Sequence, residues 1–581
     1  MMNYPILSGR VSTSSIIGLL FVVMFYANVF ADDLSPGEGP GSQAERFKAE
    51  AEERKKELEP KKEKPPEMEI KEKEKKAVPE GPSFTLSGVT ITGATLFTED
   101  VLRPAYEAMV GKKVTFRDLE DVVRKIRERY AQKGYLTTVI YIPEQEIADG
   151  KVEIRVQEGV MGKLAIEGNK WFSTALITHY IHQKIGQPLN LIALQKDLIR
   201  LNRNSDMEIS SVIAKGAEPE TSDVTLKVKD RFPHHAGVSY DNQGTRLVGK
   251  YRTGLSLRST NLTGNNDSVF VNTLVGTNFI GQAVIYQAPI NTRGTKVGFD
   301  FTFFTMRLGR EYKQLDISGK SQMYTPHISQ ELFLSERTQV DADTGVKIKS
   351  IQRIVDNETT TNDQLREPYL GFEVSHIDPF FGGGQTTFSP QAVFGTEDFL
   401  GASPRDHLKA SRNGSGGFFA KYAQSVRRVQ KMPYESYLLM RSEAQISTHT
   451  LPSSEQIQFG GANSIRGYPE GDYLADMGAN LNLDWVFPMY LFPNEWKLPF
   501  SDMPLRRQIQ PVVFFDMGGG KLKKTNPGER EDKFLASLGG GLRVNLFRNI
   551  YVRLEWAGRI GERASSGAGP SVFHLTVQSE I

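Results

Sequence analysis

Ser464-Ile465-Arg466-Gly467-Tyr468 sets an arginine and a glycine in the middle of a region, 232–581, whose residues otherwise alternate polar and apolar. Alternation over segments of about 9 to 11 residues is the pattern of strands that face lipid on one side and a polar interior on the other. A guanidinium in that setting must be solvated, paired with an acid or part of a mechanism, because arginine is costly to bury alone. Lys250 to Arg258, Val297 to Phe304, Phe418 to Gln424, Ser436 to Ile446, Ala479 to Phe487, Ala536 to Leu546 and Ile550 to Trp556 read as long strands around it. A barrel with both chain ends on one side needs an even strand number. Roughly seventeen candidates therefore reduce to a 16-stranded barrel, the surplus one lying between Glu311 and Arg353. The expected fold class is mainly β, a transmembrane antiparallel β-barrel over 232–581. Gly539-Gly540-Gly541 suits turns, bulges and bends in such strands, not a phosphate loop, since no Gly-Lys-Ser/Thr follows.

The rest of the chain is consistent with export. Among 581 residues there is no cysteine, and the net charge is +2. No disulfide or thiolate metal site can form, and the near-neutral charge argues against a nucleic-acid partner. Residues 1–31 carry Arg10, an apolar run from Ile16 to Phe30, and Val29-Phe30-Ala31 before Asp32-Asp33. That is the order of a secretory signal peptide, with a run shorter than the roughly 20 residues of a spanning helix. A charged linker follows over 32–82, dominated by Glu and Lys from Gln43 to Lys76. Ala44 to Glu59 combines helix formers with Glu–Lys pairs, Phe47 and Leu58 are too few to bury a face, and Pro60, Pro65 and Pro66 end the pattern. The segment reads either as a flexible, self-repelling linker or as a polar helix suited to a water-filled pore.

Two segments superimpose without a gap at an offset of 75 residues: Ile91-Thr92-Gly93-Ala94-Thr95-Leu96-Phe97-Thr98 on Ile166-Glu167-Gly168-Asn169-Lys170-Trp171-Phe172-Ser173. The register continues through Val110-Gly111 and Ile185-Gly186 to Leu119 and Leu194, so one small domain stands twice in tandem, 83–158 and 159–231. Each copy reads β-α-α-β-β. In the first, Thr98 opens a helix, and Thr115 with Asp118 opens a second whose apolar stripe is Leu119, Val122, Val123, Ile126 and Tyr130. In the second the helices run from Ser173 to Ile185 and from Asn190 to Asn202. Each copy is either an inert spacer or a small sheet with an open edge that can accept an extended peptide as an extra strand. In order and spacing the copies resemble polypeptide-transport-associated (POTRA) domains.

Leu451 to Tyr468, followed by Gly478, resembles the long extracellular loop of the outer-membrane transporters of two-partner secretion, the hemolysin secretion and activation type. In that family the Arg-Gly-Tyr/Phe tip folds back into the barrel; here Ile465 stands where Val is usual. Phe514-Phe515-Asp516-Met517-Gly518 is similar to the family's aromatic-x-Asp-x-Gly strand, which faces that tip from the wall. The resemblance implies that Arg466 pairs with Asp516, and that Phe514, Asp516 and Gly518 form the wall partner of Ser464, Ile465, Arg466, Gly467 and Tyr468. Ser239 to Thr245, Gly249 to Arg252 and Asn261 to Asp267 are similar to the first hairpin of the same type. One departure is Ile581, where an aromatic residue usually closes such barrels.

The function implied is export of a large secreted partner protein, of hemolysin or adhesin type and unfolded in transit, from the periplasm through the bacterial outer membrane. The two POTRA domains would recognise the cargo in the periplasm, loop 447–478 would stabilise and gate, and helix 44–59 would plug the resting pore. Outer-membrane lipid, the barrel-assembly machinery and periplasmic chaperones are the other partners expected. No cofactor is implied. An outer-membrane protein insertion factor is the alternative. An enzyme is disfavoured, because the nine histidines are scattered with no His-Glu-x-x-His, the one cluster, His234-His235, reads as a rim contact at the junction of repeat and barrel in preference to a metal site, and no Gly-x-Ser-x-Gly occurs. A solute porin has no need of the repeat pair.

Overall fold

The computed structural model describes residues 36–59, 66–70, 83–499, 501, 503–525, 529–547, 549–565 and 568–581. The proposed signal peptide, 1–31, and the linker stretches 60–65 and 71–82 lie outside the described residues. One closed sheet of 16 strands, each antiparallel to its neighbours, forms the wall. Its first half is β1 His234–Asp241, β2 Arg252–Ser259, β3 Ser268–Gly276, β4 Phe279–Pro289, β5 Thr295–Arg307, β6 Ile317–Leu334, β7 Thr338–Val355 and β8 Glu358–Asp378. The second half is β9 Gly384–Gly395, β10 Phe419–Lys431, β11 Tyr437–Ser447, β12 Met477–Val486, β13 Ile509–Lys521, β14 Asp532–Leu546, β15 Ile550–Arg559 and β16 Ser571–Glu580.

Period two explains the wall: in β2, Leu255 and Leu257 face outward while Ser256 and Arg258 are buried inside. The stretch between Glu311 and Arg353 holds most of β6 and β7, which run 18 residues each. Strands longer than a bilayer requires account for the surplus candidate there. Closure joins β1 to β16, with Gly237 opposite Glu580 and Asp241 opposite Thr576. Ile581 extends the junction through its backbone, accepting from Ala236 N–H at 3.0 Å and donating to Ala236 O at 2.9 Å. These bonds do not depend on an aromatic side chain. The triple glycine marks no turn; it lies inside β14, where a Cβ on Gly539 would stand 2.3 Å from the Phe514 ring.

Both repeat copies place their first strand parallel to their last and the middle strand antiparallel to that last one. Helix α1, Pro40–Leu58, is described below; the copies supply α2 Phe116–Gln132, α3 Thr174–Tyr180 and α4 Leu191–Asn202. A reciprocal capping box starts α2: Asp118 accepts from Thr115 N–H at 2.7 Å, and the Thr115 hydroxyl accepts from Asp118 N–H at 3.4 Å. Leu119, Val122, Val123, Ile126 and Tyr130 are its buried stripe. The helix opened by Thr98 is a single turn, Glu99–Leu102, that gives way to a 3-10 turn containing Pro104. α3 ends at Tyr180, well short of Ile185, because Ile181 is extended and His182 binds Asp197 through its N–H at 2.9 Å and its ring Nδ1 at 2.7 Å.

The repeat extends to a detail of geometry. Gly93 (φ 79°) and Gly168 (φ 92°) turn the chain after the first strand, and a Cβ there would lie 2.2 and 2.4 Å from the carbonyls of Val156 and Val228. Each turn's amides then donate to one acid at the end of the last strand: Thr95 and Leu96 to Glu158, Lys170, Trp171 and Phe172 to Asp230. One expectation needs correction. The edge of the second sheet is not open, for linker residues Met68–Ile70 add to Met207–Lys215 as a parallel strand with Met68 opposite Ser211. In the first copy Val139–Tyr141 remains the outer edge among the described residues.

The charged segment is also corrected. Helix α1 begins at Pro40, four residues before Ala44, and lies inside the barrel. Its 19 residues span about 28 Å, close to the thickness of a bilayer core. Phe47 does bury a face, with Ala44 and Ala51, against Phe270, Phe279, Phe304 and Met323 of the wall. Wall glycines make room: a Cβ on Gly281 would press on the Phe47 ring at 3.1 Å, and one on Gly319 would meet Pro40 at 2.5 Å.

Candidate functional site

The loop between β11 and β12 folds back into the barrel and carries its own small hairpin, Ile457–Phe459 with Tyr473–Ala475. At its tip Arg466 is fully buried. Its Nε and Nη2 donate to Asp516 of β13 at 2.8 and 2.6 Å, two parallel bonds that fix the guanidinium plane. Its backbone N–H donates to the same carboxylate at 3.1 Å. Phe514, two residues earlier on the same inward face, lies under the guanidinium with 3.4 Å from its carbon to the ring centre. The structure thus brings together Arg466, Asp516 and Phe514.

The other motif residues serve close approach. A Cβ on Gly467 would stand 2.7 Å from Ser537 Cβ, and one on Gly518 would stand 2.8 Å from the Ala479 carbonyl. Ile465 and Tyr468 are buried with Phe459, Leu522 and Leu535, and the Tyr468 hydroxyl donates to Glu562 O at 2.7 Å. The Ser464 carbonyl accepts from the Asn482 side-chain amide.

Sequence reasoning found one acid; the wall supplies three. Arg466 also meets Asp484 of β12 and Glu555 of β15, the latter at 3.2 Å. Arg543 bridges those two acids at 2.6 and 2.8 Å, Arg553 pairs with Glu555 at 2.9 Å, and Arg441 lies 3.5 Å from Asp484. His574 of β16 donates from Nε2 to the Arg466 carbonyl at 2.8 Å. A signal existed in the inward phase of β12, where Asn480, Asn482 and Asp484 recur every second residue.

Ion pairs also hold α1. Glu50 pairs with Arg252 at 2.9 Å, and Arg54 donates to Ser239 at 2.6 Å. Lys349 of β7, almost wholly buried, gathers Glu45 of α1 at 2.6 Å, Glu367 of β8 at 3.2 Å and Glu455 of the loop. Helix and loop therefore share one cation. A space of about 900 Å³ remains between α1 and the wall, with Lys48, Asp300, Lys347 and Glu443 among its lining residues.

The second repeat domain docks on the β1 to β7 side of the barrel mouth. Arg200 and Arg203 reach Glu331 at 2.9 and 2.8 Å, and Asn204 donates to Thr260 O at 2.8 Å. Asp206 accepts from His235 at 2.9 Å and from Thr260 at 2.8 Å. Burial alone would raise the Asp206 pKa, but these hydrogen bonds and the charges of His235 and Arg258 outweigh it and hold the carboxyl below its ordinary range. No His/Asp/Glu group capable of holding a metal occurs among the described residues.

Comparison with known proteins gives the chain its relatives. The family "Haemolysin secretion/activation protein ShlB/FhaC/HecB" matches residues 220–544, and "POTRA domain, ShlB-type" matches 84–159. The heme/hemopexin transporter protein HuxB of Haemophilus influenzae is 22% identical over 473 residues, covering 77% of this chain and 78% of that one. The outer membrane transporter CdiB of Dickeya dadantii is 23% identical over 490 residues, 80% of each chain. Among solved structures, CdiB from Escherichia coli matches with a TM-score of 0.75 at 20% identity, over 95% of this chain and 100% of that one, a likeness of fold. The family match over more than half of the sequence carries the assignment: the chain belongs to the haemolysin secretion/activation family ShlB/FhaC/HecB, outer-membrane two-partner secretion transporters with periplasmic POTRA domains, and not to a class of enzymes.

Proposed function

We propose that this chain exports one large secreted partner protein, of hemolysin or adhesin type, from the periplasm to the cell surface. The POTRA domains take the unfolded cargo by strand addition, the barrel conducts it, α1 plugs the resting pore, and loop 447–478 stabilises and gates through Arg466, Gly467 and Tyr468. One observation carries this reading. The barrel interior is occupied by two bodies, α1 and the loop, held by ion pairs, isolated hydrogen bonds and side-chain packing such as that of Phe47 and Tyr468, instead of sheet ladders. Such contacts can be exchanged for water without opening the wall.

The linker strand Met68–Ile70 supports a link between recognition and opening. It occupies the POTRA 2 edge that a cargo strand would use, and it continues the chain that leaves α1. Cargo adding at that edge displaces the linker and frees α1 to withdraw. Cells lacking the chain should lose one large secreted protein from the surface or medium while their bulk outer-membrane proteins stay at normal levels. A general fall in outer-membrane proteins would instead support an insertion factor.

A further inference from the structure

On the periplasmic side most connections are short, from three residues at 335–337 to eight at 260–267. The connection between β12 and β13, 487–508, has 22. Its first half reads Phe487-Pro488-Met489-Tyr490-Leu491-Phe492-Pro493-Asn494-Glu495-Trp496, a composition that turn formation alone does not call for. Leu491 is 85% exposed and Trp496 56%. Two neighbouring turns share the character: Phe381 is 76% exposed in the β8–β9 turn, and Tyr434 is 85% exposed in the β10–β11 turn. Exposed apolar residues gathered on one stretch of rim point to an interaction site.

The long connection and the Tyr434 turn form one body. Arg507 pairs with Glu435 at 2.8 Å, Arg506 pairs with the same carboxylate, and the Tyr490 hydroxyl donates to the Tyr434 carbonyl. The backbone at these turns shares the left-handed conformation that Asp149, Leu400 and Phe547 also adopt. Phe381 (φ 45°), Tyr434 (φ 59°) and Glu435 (φ 59°) occupy the left-handed region, where hairpins ordinarily use Asn or Gly.

Position decides what covers the patch. POTRA 2 docks beneath β1 to β7, through contacts such as Arg203–Glu331 and Asn204–Thr260, and leaves the β8 to β13 side of the rim uncovered among the described residues. The patch is also continuous with the lipid-facing wall: outward Trp485 of β12 lies 4.8 Å, ring to ring, from Phe487, and its indole N–H donates to Ser436 Oγ at 3.2 Å. Trp and Tyr rings belong at the level where acyl chains meet headgroups. We propose that 487–498, with the turns at Phe381 and Tyr434, is an interfacial anchor seated in the phospholipid headgroup–acyl boundary of the periplasmic leaflet, opposite POTRA 2.

The test uses the full chain in phosphatidylcholine vesicles. Replacing Trp171, Trp485 and Trp556 by Phe leaves Trp496 as the reporter, and a second variant that keeps only Trp556 is the wall reference. Brominated lipid should quench Trp496 as strongly as the reference when the bromines lie near the headgroup, less when they lie deep, and acrylamide should quench it weakly. A spin label on L491C, in a chain with no native cysteine, should collide more with oxygen than with a water-soluble nickel chelate, the reverse of a label on L408C in the outer β9–β10 loop. Full acrylamide quenching with no effect of brominated lipid, or nickel accessibility of L491C equal to that of L408C, overturns the anchor. So does protection that arises only when an unfolded polypeptide is added, which would make the patch a protein-binding surface.

Discussion

Replacing Arg466 by Ala tests the lock at the loop tip. Of the three acids around it, Asp484 keeps Arg441 and Arg543, and Glu555 keeps Arg543 and Arg553. Asp516 keeps no cation among the described residues, only neutral donors: the residue-466 backbone N–H at 3.1 Å, the Asn482 amide at 2.9 Å and the Ser537 hydroxyl at 3.4 Å. R466A therefore strands one buried carboxylate, and removing one member of a buried pair costs about 3 to 5 kcal/mol. That raises the undocked fraction of the loop by about 150-fold to about 4,000-fold. Protease cutting within 448–476 on intact cells reads this fraction, because cleavage follows the open population when reclosing is fast. R466K keeps the charge but loses the paired bonds and should fall between, at about 2 kcal/mol. In R466A/D516N the stranded charge is gone, so cutting should slow again relative to R466A. A cleavage rate unchanged in R466A, or a double variant cut as fast as the single, would refute the reasoning.

Deleting residues 42–60 should raise single-channel conductance in planar bilayers, and an unchanged baseline would remove α1 from the role of plug. E69P should weaken the linker strand, since proline donates no ladder bond; binding of an extended peptide to POTRA 2, followed by fluorescence anisotropy, should tighten. Docking of POTRA 2 should also depend on pH with a definite sign. Because docking lowers the Asp206 pKa, the docked state holds fewer protons, so its stabilisation is complete above the free carboxyl's value of about 4 and is lost as pH falls through the lower docked value. Spin-label distances between POTRA 2 and the barrel should stay fixed from neutrality down to that value and broaden below it in the native chain, while D206N should be broad throughout.

What could be read from the residues was local and periodic. Leu255, Ser256, Leu257 and Arg258 declare a two-faced strand by themselves, and the Thr115–Asp118 box with its stripe declares α2. Arg466 and Asp516 were legible because each sits in a short motif. The remaining acids and arginines of the site were not, because they meet only through barrel register: Asn482 lies opposite Asp516, Asp484 opposite Phe514, and Glu555 opposite Gly541. The burial of Phe47 was hidden for a similar reason, since the glycines that admit it, such as Gly281, lie more than 200 residues away. Met68–Ile70 is too short to show a period, and its pairing depends on an edge supplied by another domain.

The direction of α1 has a consequence of its own. Gly37 N–H bonds Gly471 O at 2.8 Å near the outer loop, while Lys56, 3.9 Å from Glu373, lies toward the periplasmic end. The protein's own leading segment thus stands in the conduit with its amino end outward, like a stalled passenger. Acidic and basic rungs along the wall, Lys349, Arg252 and Glu373, are matched to it, and on the proposed export route a cargo chain would meet the same rungs one after another.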